Sequence, residues 1–361
     1  MSIHHSLLAD LGWDDSLATD FEAAGDGHLA ARVTRVDRGG ADLISASGPL
    51  RATFGRRVLA AMAADRTAVP TVGDWAALAT WPDGRITIEA VLPRRTSVVR
   101  DGADRTSHGQ VLAANVDLVV VVEHLDPDPD LGRIERLLVL AWGSGAQPLV
   151  VLTKTDLVPD PVGMVEEVAA AAPGVEVLGV SATNGEGLDA VRTHLAPGRT
   201  IVLLGPSGAG KSTLTNALAG AELMATNGLR ADGRGRHTTT HRELVVLPGV
   251  GVVLDTPGLR SVGLIADADA VAEAFPEIAE LAEYCRFRDC AHQTEPGCAV
   301  LAALDDGSLD ERRLASWRKL GREAAFQARR ADARLQAASR AVWRQRTKQM
   351  RAHYKRMPPR R

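Results

Sequence analysis

Cysteine is scarce, three in 361 residues. That is too few for a dense disulfide framework, and all three fall between Cys285 and Cys298. Aromatic residues make up only 4%, so Ala, Val and Leu must fill the cores. No apolar run approaches the roughly eighteen residues of a membrane-spanning helix. The opening MSIHHSLLADLGWDDS lacks the basic start and apolar core of a secretory signal, so a cytoplasmic location without membrane contact is expected. What is abundant, 45% hydrophobic and 24% charged residues, excludes a disordered or fibrous chain, and the length predicts two or three domains.

Charge is unevenly spread. The net −3 conceals 13 Lys and Arg against 2 Asp and Glu from Arg322 to Arg361, a local +11 that leaves −14 on the remainder. Such a run reads either as a solvated helix face or as a phosphate-backbone contact, and composition does not choose between them.

From Gly27 to Val98, HLAARVTRV, ADLISA, LRATF, WAALAT and ITIEAVL alternate with Gly, Pro and Asp turns. Five short strands in so short a span predict a small β-barrel, for which the oligonucleotide- or oligosaccharide-binding type is one candidate. From Asp117 to Ser261 the apolar runs DLVVVV, PLVVLT, VEVLGVSA, TIVLLG and VGVVLDT alternate with helical patterns at Leu131–Ala141, Val162–Ala171, Glu186–Leu195 and Lys211–Leu218. That alternation predicts a sheet with helices on both faces, edged by an antiparallel pair at Leu244–Leu247 and Val250–Leu254. Beyond Asp267 the chain reads as helical except around the cysteines, with one long Arg-rich helix from Asp310 to about Tyr354.

Chemistry concentrates in the middle. Gly205-Pro206-Ser207-Gly208-Ala209-Gly210-Lys211-Ser212 follows a strand pattern and opens a helix pattern, with Thr213 next. Glycines let backbone amides curl around phosphates, Lys211 reaches the β and γ oxygens, and Ser212 offers a hydroxyl to Mg²⁺. Thr153-Lys154-Thr155-Asp156 follows a second strand. The Asp156 carboxylate can accept from the ring N–H and exocyclic amine of guanine, the Lys154 stem can cover the base, and backbone at Ser181 and Ala182 can donate to its O6. The expected ligand is therefore GTP. Asp255-Thr256-Pro257-Gly258 ends a third strand, with Asp255 holding a water of Mg²⁺ and the Gly258 amide sensing the γ-phosphate. In the polar segment Gly235–Thr240, Thr239 is the expected second Mg²⁺ ligand, Thr238 the alternative, and His237 a candidate to orient water. Leu259 stands where many GTPases place a glutamine, so slow intrinsic turnover, accelerated by a partner, is expected.

The motif order is unusual, because base recognition precedes the phosphate loop. Joining nearby termini and reopening the chain elsewhere preserves a packed sheet, so the domain reads as circularly permuted. Cys285-x4-Cys290-x-His292-x5-Cys298 supplies three thiolates and one imidazole. That is a full tetrahedral set for one structural Zn²⁺, with no position left for a catalytic water.

Together the motifs resemble the ribosome small subunit-dependent GTPase A family of circularly permuted bacterial GTPases. The likeness runs over nearly the whole chain, through LPRRTSVVR, LAANVD, TKTD, SATNGEGL, GPSGAGKST, GRHTTT, DTPGL and FRDCAHQTEPGCAV. It implies an oligonucleotide-binding barrel (27–98), a circularly permuted P-loop GTPase domain (99–265) and a zinc-containing helical domain (266–325); the acidic leader (1–26) and basic tail (326–361) that flank them vary in the family. It also implies GTP hydrolysis stimulated by the 30S subunit and its 16S rRNA, action late in subunit maturation, and a monomeric protein. By the same likeness Thr153–Asp156 and Gly205–Thr213 contact GTP, and Cys285, Cys290, His292 and Cys298 bind zinc. One departure stands out: the guanine motif of the family usually begins with Asn, and here it begins with Thr153, which weakens or remakes one side-chain tie. The competing readings are a P-loop ATPase, which Asp156 opposes, a guanine-nucleotide switch acting on another RNA, and a nucleotide-independent RNA-binding scaffold, which the full phosphate and magnesium set opposes.

Overall fold

The computed structural model describes residues 7–25, 27–101, 109–223, 243–247, 249–255 and 267–331. Helix α1 (Asp15–Glu22) starts at Asp14, whose carboxylate accepts from the Leu17 amide at 3.0 Å. Five strands follow, β1 (Leu29–Asp37), β2 (Gly40–Ser45), β3 (Gly48–Phe54), β4 (Trp75–Thr80) and β5 (Ile86–Val91), closed in the order β1-β2-β3-β5-β4. All pairings are antiparallel except β3 with β5, and helix α2 (Arg56–Ala64) fills the crossover that this parallel pair requires. This is the expected oligonucleotide-binding barrel. Helix α2 went unread in the sequence, although RRVLAAMAA is built almost wholly of strong helix formers.

A ribbon of β6 (Ser97–Asp101) and β7 (Gly109–Ala114) links the barrel to a six-stranded sheet. The sheet is assembled in chain order from β8 (Leu118–His124), α3 (Leu131–Trp142), β9 (Gln147–Thr153), α4 (Pro161–Ala170), β10 (Val177–Val180), α5 (Leu188–Arg192), β11 (Thr200–Leu204), α6 (Lys211–Ala219), β12 (Glu243–Leu247) and β13 (Gly251–Asp255). Its spatial order is β10-β9-β8-β11-β13-β12, parallel except for β12. Side chains alternate between two cores along each strand. Val119 and Val121 join α3 on one face, while Val120 and Val122 join Leu214 and Leu218 of α6 on the other. Helix α5 is shorter than its sequence pattern because Gly187 precedes it at φ +75°, where a Cβ would sit 2.2 Å from the Gly179 carbonyl oxygen.

Four helices complete the described chain, α7 (Ala268–Ala274), α8 (Pro276–Glu283), α9 (Ala299–Asp305) and α10 (Glu311–Ala331). The expected continuation of the last helix to Tyr354 lies outside the described residues. No described helix is long and apolar enough to cross a membrane. The helical unit packs on α3, and its seam carries buried charge. Glu135 of α3 accepts from Arg312 and Arg313 of α10 at 2.9 Å each. Arg313 also reaches Glu277 of α8 and the carbonyls of Ala171 and Ala274, with its guanidinium 4.2 Å from the Phe275 ring centroid. A second clamp joins Arg136 to Glu323 at 2.6 and 2.8 Å.

The N-terminal segment is not a loose leader. Leu11 and Leu17 are buried, and Trp13 packs edge-on to Trp75 at 4.9 Å. The buried Arg32 of β1 donates to the carbonyls of Leu11, Gly73 and Asn115, joining the leader, the barrel and the entry to the sheet, and desolvation pulls its pKa down to about 10. Arg95 pairs with Asp14 and holds its carboxyl at about 2. That carboxyl's folded pKa lies below its unfolded value, so the clamp contributes at neutral pH and is lost only in strong acid.

Removing Glu135 takes from the buried Arg313 one of its two carboxylates, leaving Glu277 and two carbonyls. Glu135→Ala is expected to lower the stability of the helical unit by about 2 kcal/mol, the worth of a hydrogen bond to a charged group, read as an earlier urea transition, with Glu135→Gln falling between variant and wild type.

Candidate nucleotide site and metal cluster

Parallel pairing puts the C-terminal ends of β8, β9, β10, β11 and β13 along one edge of the sheet, and the sequence motifs sit there. Thr153 is level with His124 on one side and Val180 on the other, while Leu204 is level with Val121. The guanine motif, Ser181–Ala182 and the Gly205–Ser212 loop are thereby gathered although the chain delivers them in permuted order. Leu203 pairs with Asp255, so β13 ends beside the strand that feeds the phosphate loop. His237, Thr238, Thr239, Gly258 and Leu259 lie outside the described residues, as does the side chain of Asp255.

The phosphate loop is shaped by close approach. A Cβ at Gly205 would lie 2.0 Å from the Val122 carbonyl oxygen, so no other residue lets the chain leave β11 against β8. Lys211 opens α6 and folds over the loop, its Nζ donating to the carbonyls of Gly205 at 2.9 Å and Pro206 at 2.7 Å. Ser212 and Thr213 follow on the first turn, half-buried, where free backbone amides and the helix dipole favour an anion.

At the end of β9, Lys154 adopts a left-handed backbone, φ +64°, turning the chain into a 3-10 turn at Thr155–Leu157 and carrying its Nζ to the Asp126 carbonyl at 3.2 Å. The Asp156 carboxylate stays open to solvent. It accepts from the Thr183 hydroxyl at 3.3 Å, and hydrogen bonding, from Ser181 first, holds its pKa below the usual carboxylate range. Ser181 and Thr183 are themselves 2.9 Å apart, hydroxyl to hydroxyl, so the two base-recognition segments form one network.

Thr153 ties the guanine motif to its surroundings through its side chain. Its buried hydroxyl lies 2.8 Å from the carbonyl of Ala209, inside the phosphate loop, and 3.2 Å from that of Glu123 at the end of β8. A single O–H donates to one acceptor at a time, and the shorter contact crosses from the guanine motif to the phosphate loop. Glu123 is anchored in turn by the Arg133 guanidinium of α3 at 2.7 Å. Neither Glu123 nor Arg133 figured in the sequence reading, because no motif marks them and only the fold puts them behind Thr153.

Away from the nucleotide edge, one ligand atom from each of Cys285, Cys290, His292 and Cys298 lies within 4.8 Å of the others. The separations of 3.5 Å (Cys285 Sγ to His292 Nδ1), 3.4 Å (His292 Nδ1 to Cys298 Sγ) and 3.8 Å (Cys285 Sγ to Cys298 Sγ) match the edges of a zinc tetrahedron, roughly 3.5 to 3.8 Å for the usual bond lengths. The cluster is compatible with a structural zinc. Its loop is braced from α10, where Trp317 meets the His292 ring edge-on at 5.5 Å and Arg318 donates to the His292 carbonyl.

A parallel sheet that gathers a phosphate loop and a guanine motif in permuted chain order defines a circularly permuted GTPase. The family model described as RsgA GTPase matches residues 91–265. Small ribosomal subunit biogenesis GTPase RsgA of Streptomyces coelicolor is 53% identical over 348 residues, 95% of this chain and 93% of the relative. The protein of the same name from Opitutus terrae is 49% identical, over 93% and 95% of the two chains. The crystal structure of YjeQ from Thermotoga maritima superposes with a TM-score of 0.60 at 25% identity, covering 82% of this chain and 98% of that one. YloQ, described as a circularly permuted GTPase, gives 0.59 at 23% identity over 84% and 96% and speaks for the fold alone. The chain belongs to the RsgA GTPase family.

Thr153→Val preserves shape and removes the O–H. It is expected to leave the fold intact and weaken GDP binding by about 2- to 10-fold, the worth of one hydrogen bond, in a fluorescent-nucleotide titration, while Thr153→Asn retains affinity.

Proposed function

We propose that this GTPase acts on the 30S ribosomal subunit, assisting its late maturation and hydrolysing GTP to GDP and phosphate when the subunit and its 16S rRNA engage it. The observation that carries the nucleotide reading is the junction of the guanine motif with the phosphate loop through Thr153 and Ala209. The ribosomal reading is supported by relatives named for small-subunit biogenesis that align over nearly the full length of both chains.

In this reading Asp156 takes the two N–H groups of guanine, Lys154 and Ser181–Ala182 frame the base, and Gly205–Thr213 wraps the phosphates. Lys211 exchanges its two carbonyl contacts for phosphate oxygens. Water attacks the γ-phosphorus as the bond to the β–γ bridging oxygen breaks, and charge spread over the phosphoryl oxygens is met by Lys211 and the loop amides. The half-buried Ser212, on the first turn of α6, would hold a Mg²⁺ together with the expected ligands Thr239 and Asp255; β13 ends beside β11, and a bound ion would supply positive charge at the β and γ oxygens. Cys285, Cys290, His292 and Cys298 hold one structural Zn²⁺, with no part in the reaction. A monomer suffices, because every expected ligand of GTP comes from one chain.

Asp156→Asn exchanges a pair of acceptors for an acceptor and a donor. The variant is expected to lose guanine nucleotides and gain xanthine nucleotides, whose C2 carries a carbonyl, in competition binding against ATP as the indifferent control.

Turnover by the metal-loaded protein is expected to be slow alone, to rise selectively with 30S over 50S subunits, and to fall in His237→Ala only under stimulation. A GTP-binding protein that responds to neither mature nor immature 30S particles overturns the ribosomal reading, and equal stimulated rates for wild type and His237→Ala remove the histidine from the mechanism.

A further inference from the structure

The loop held by the metal cluster presents two aromatic rings outward. Tyr284 is 78% exposed and Phe287 41%, in a chain with only two tyrosines and five phenylalanines. They flank Cys285, so the cluster that would hold the metal also fixes the backbone beneath them. Arg286 lies between them with its guanidinium 5.5 Å from the Phe287 ring centroid, and Arg288 follows, exposed. The same loop is tied through the His292 carbonyl to Arg318 of α10, and one turn further along that helix stands the exposed Arg322, where the net +11 stretch of sequence begins.

We infer that Tyr284 and Phe287 form a stacking platform for unpaired bases of RNA. The inference rests on the proposed ribosomal function and names the chemistry by which this domain grips its partner. Residues 284–299 contain no Leu, Ile, Val or Met. Their exposed side chains are instead two rings set among arginines and small polar groups. An exposed ring next to a guanidinium accepts the face of any base, and the guanidinium adds its own planar stacking surface and its charge toward phosphate. Glu283 and Asp289 bracket the patch, so segment 283–289 is neutral overall. Stacking rather than counterion release therefore sets the contribution of the rings, while bulk electrostatic attraction is left to residues outside segment 283–289.

Full-length, zinc-loaded wild type, Tyr284→Ala, Phe287→Ala, the double alanine variant and the aromatic-conserving pair Tyr284→Phe with Phe287→Tyr are titrated against 30S subunits and against a fluorescent ten-nucleotide single-stranded RNA over a range of salt. Zinc content of one per chain serves as the folding control. Each alanine is expected to weaken binding by about 5-fold or more and the pair by about 30-fold or more, with the salt slope unchanged and the conserving pair near wild type. Equal RNA binding by wild type and the double alanine variant overturns the inference, as does loss confined to 30S, which assigns the rings to a ribosomal protein, or equal loss in the conserving pair, which assigns them a structural role. Wild type that binds the oligonucleotide and not 30S overturns the ribosomal reading, and the alanine series on the oligonucleotide then still decides the platform.

Discussion

Strand β8 is the member on which the site depends. It lies between β9, which ends in the guanine motif, and β11, which ends in the phosphate loop. Neighbouring strands are about 4.8 Å apart, so the guanine motif and the phosphate loop are held roughly 10 Å from each other by the width of one intervening strand. The Val122 carbonyl bars any side chain at Gly205, and the Glu123 carbonyl is the alternative acceptor for the Thr153 hydroxyl that meets Ala209. One strand thus sets the spacing of the two halves and shapes the loop that leaves β11.

The chain delivers these strands in a different order from their places in the sheet, and hydrogen bonding is indifferent to that order. What the sheet requires is that β9 and β11 flank β8 in parallel, with their C-terminal ends level. The connections do the rest: α3 and α4 cover one face and α5 and α6 the other, so the two cores close whichever strand comes first. The helical unit is then docked on α3, whose Arg133 anchors Glu123 behind the base motif while Glu135 and Arg136 grip α10. A single helix therefore touches both the back of the nucleotide edge and the seam with the metal-cluster unit.

Sequence was informative where chemistry demands particular residues at fixed spacing. The phosphate loop, TKTD and the cysteine cluster announced themselves, and runs such as LVVVV betray strands buried on both faces. The barrel strands were readable from alternation and turns, and the parallel β3–β5 closure was not, because pairing partners leave no local trace. Helix α2 was hidden by its brevity between two strands. The packing of the leader was hidden for another reason: Leu11, Leu17 and Trp13 look like scattered apolar residues until Trp75 and Arg32 are placed against them. Glu123, Arg133 and Glu135 are ordinary charges in a helical or strand pattern, and burial alone gives them their importance.

The permuted order also bears on how the protein is made. As the nascent chain leaves the ribosome, β8, β9 and β10 appear before β11, so the first half of the sheet must wait with one edge of β8 unpaired. An unpaired apolar edge is a template for wrong association. Synthesis thus presents the strand that ends in the guanine motif before the strand that ends in the phosphate loop, with β13 later still, and the growing chain does not hold the gathered motifs until all three are out.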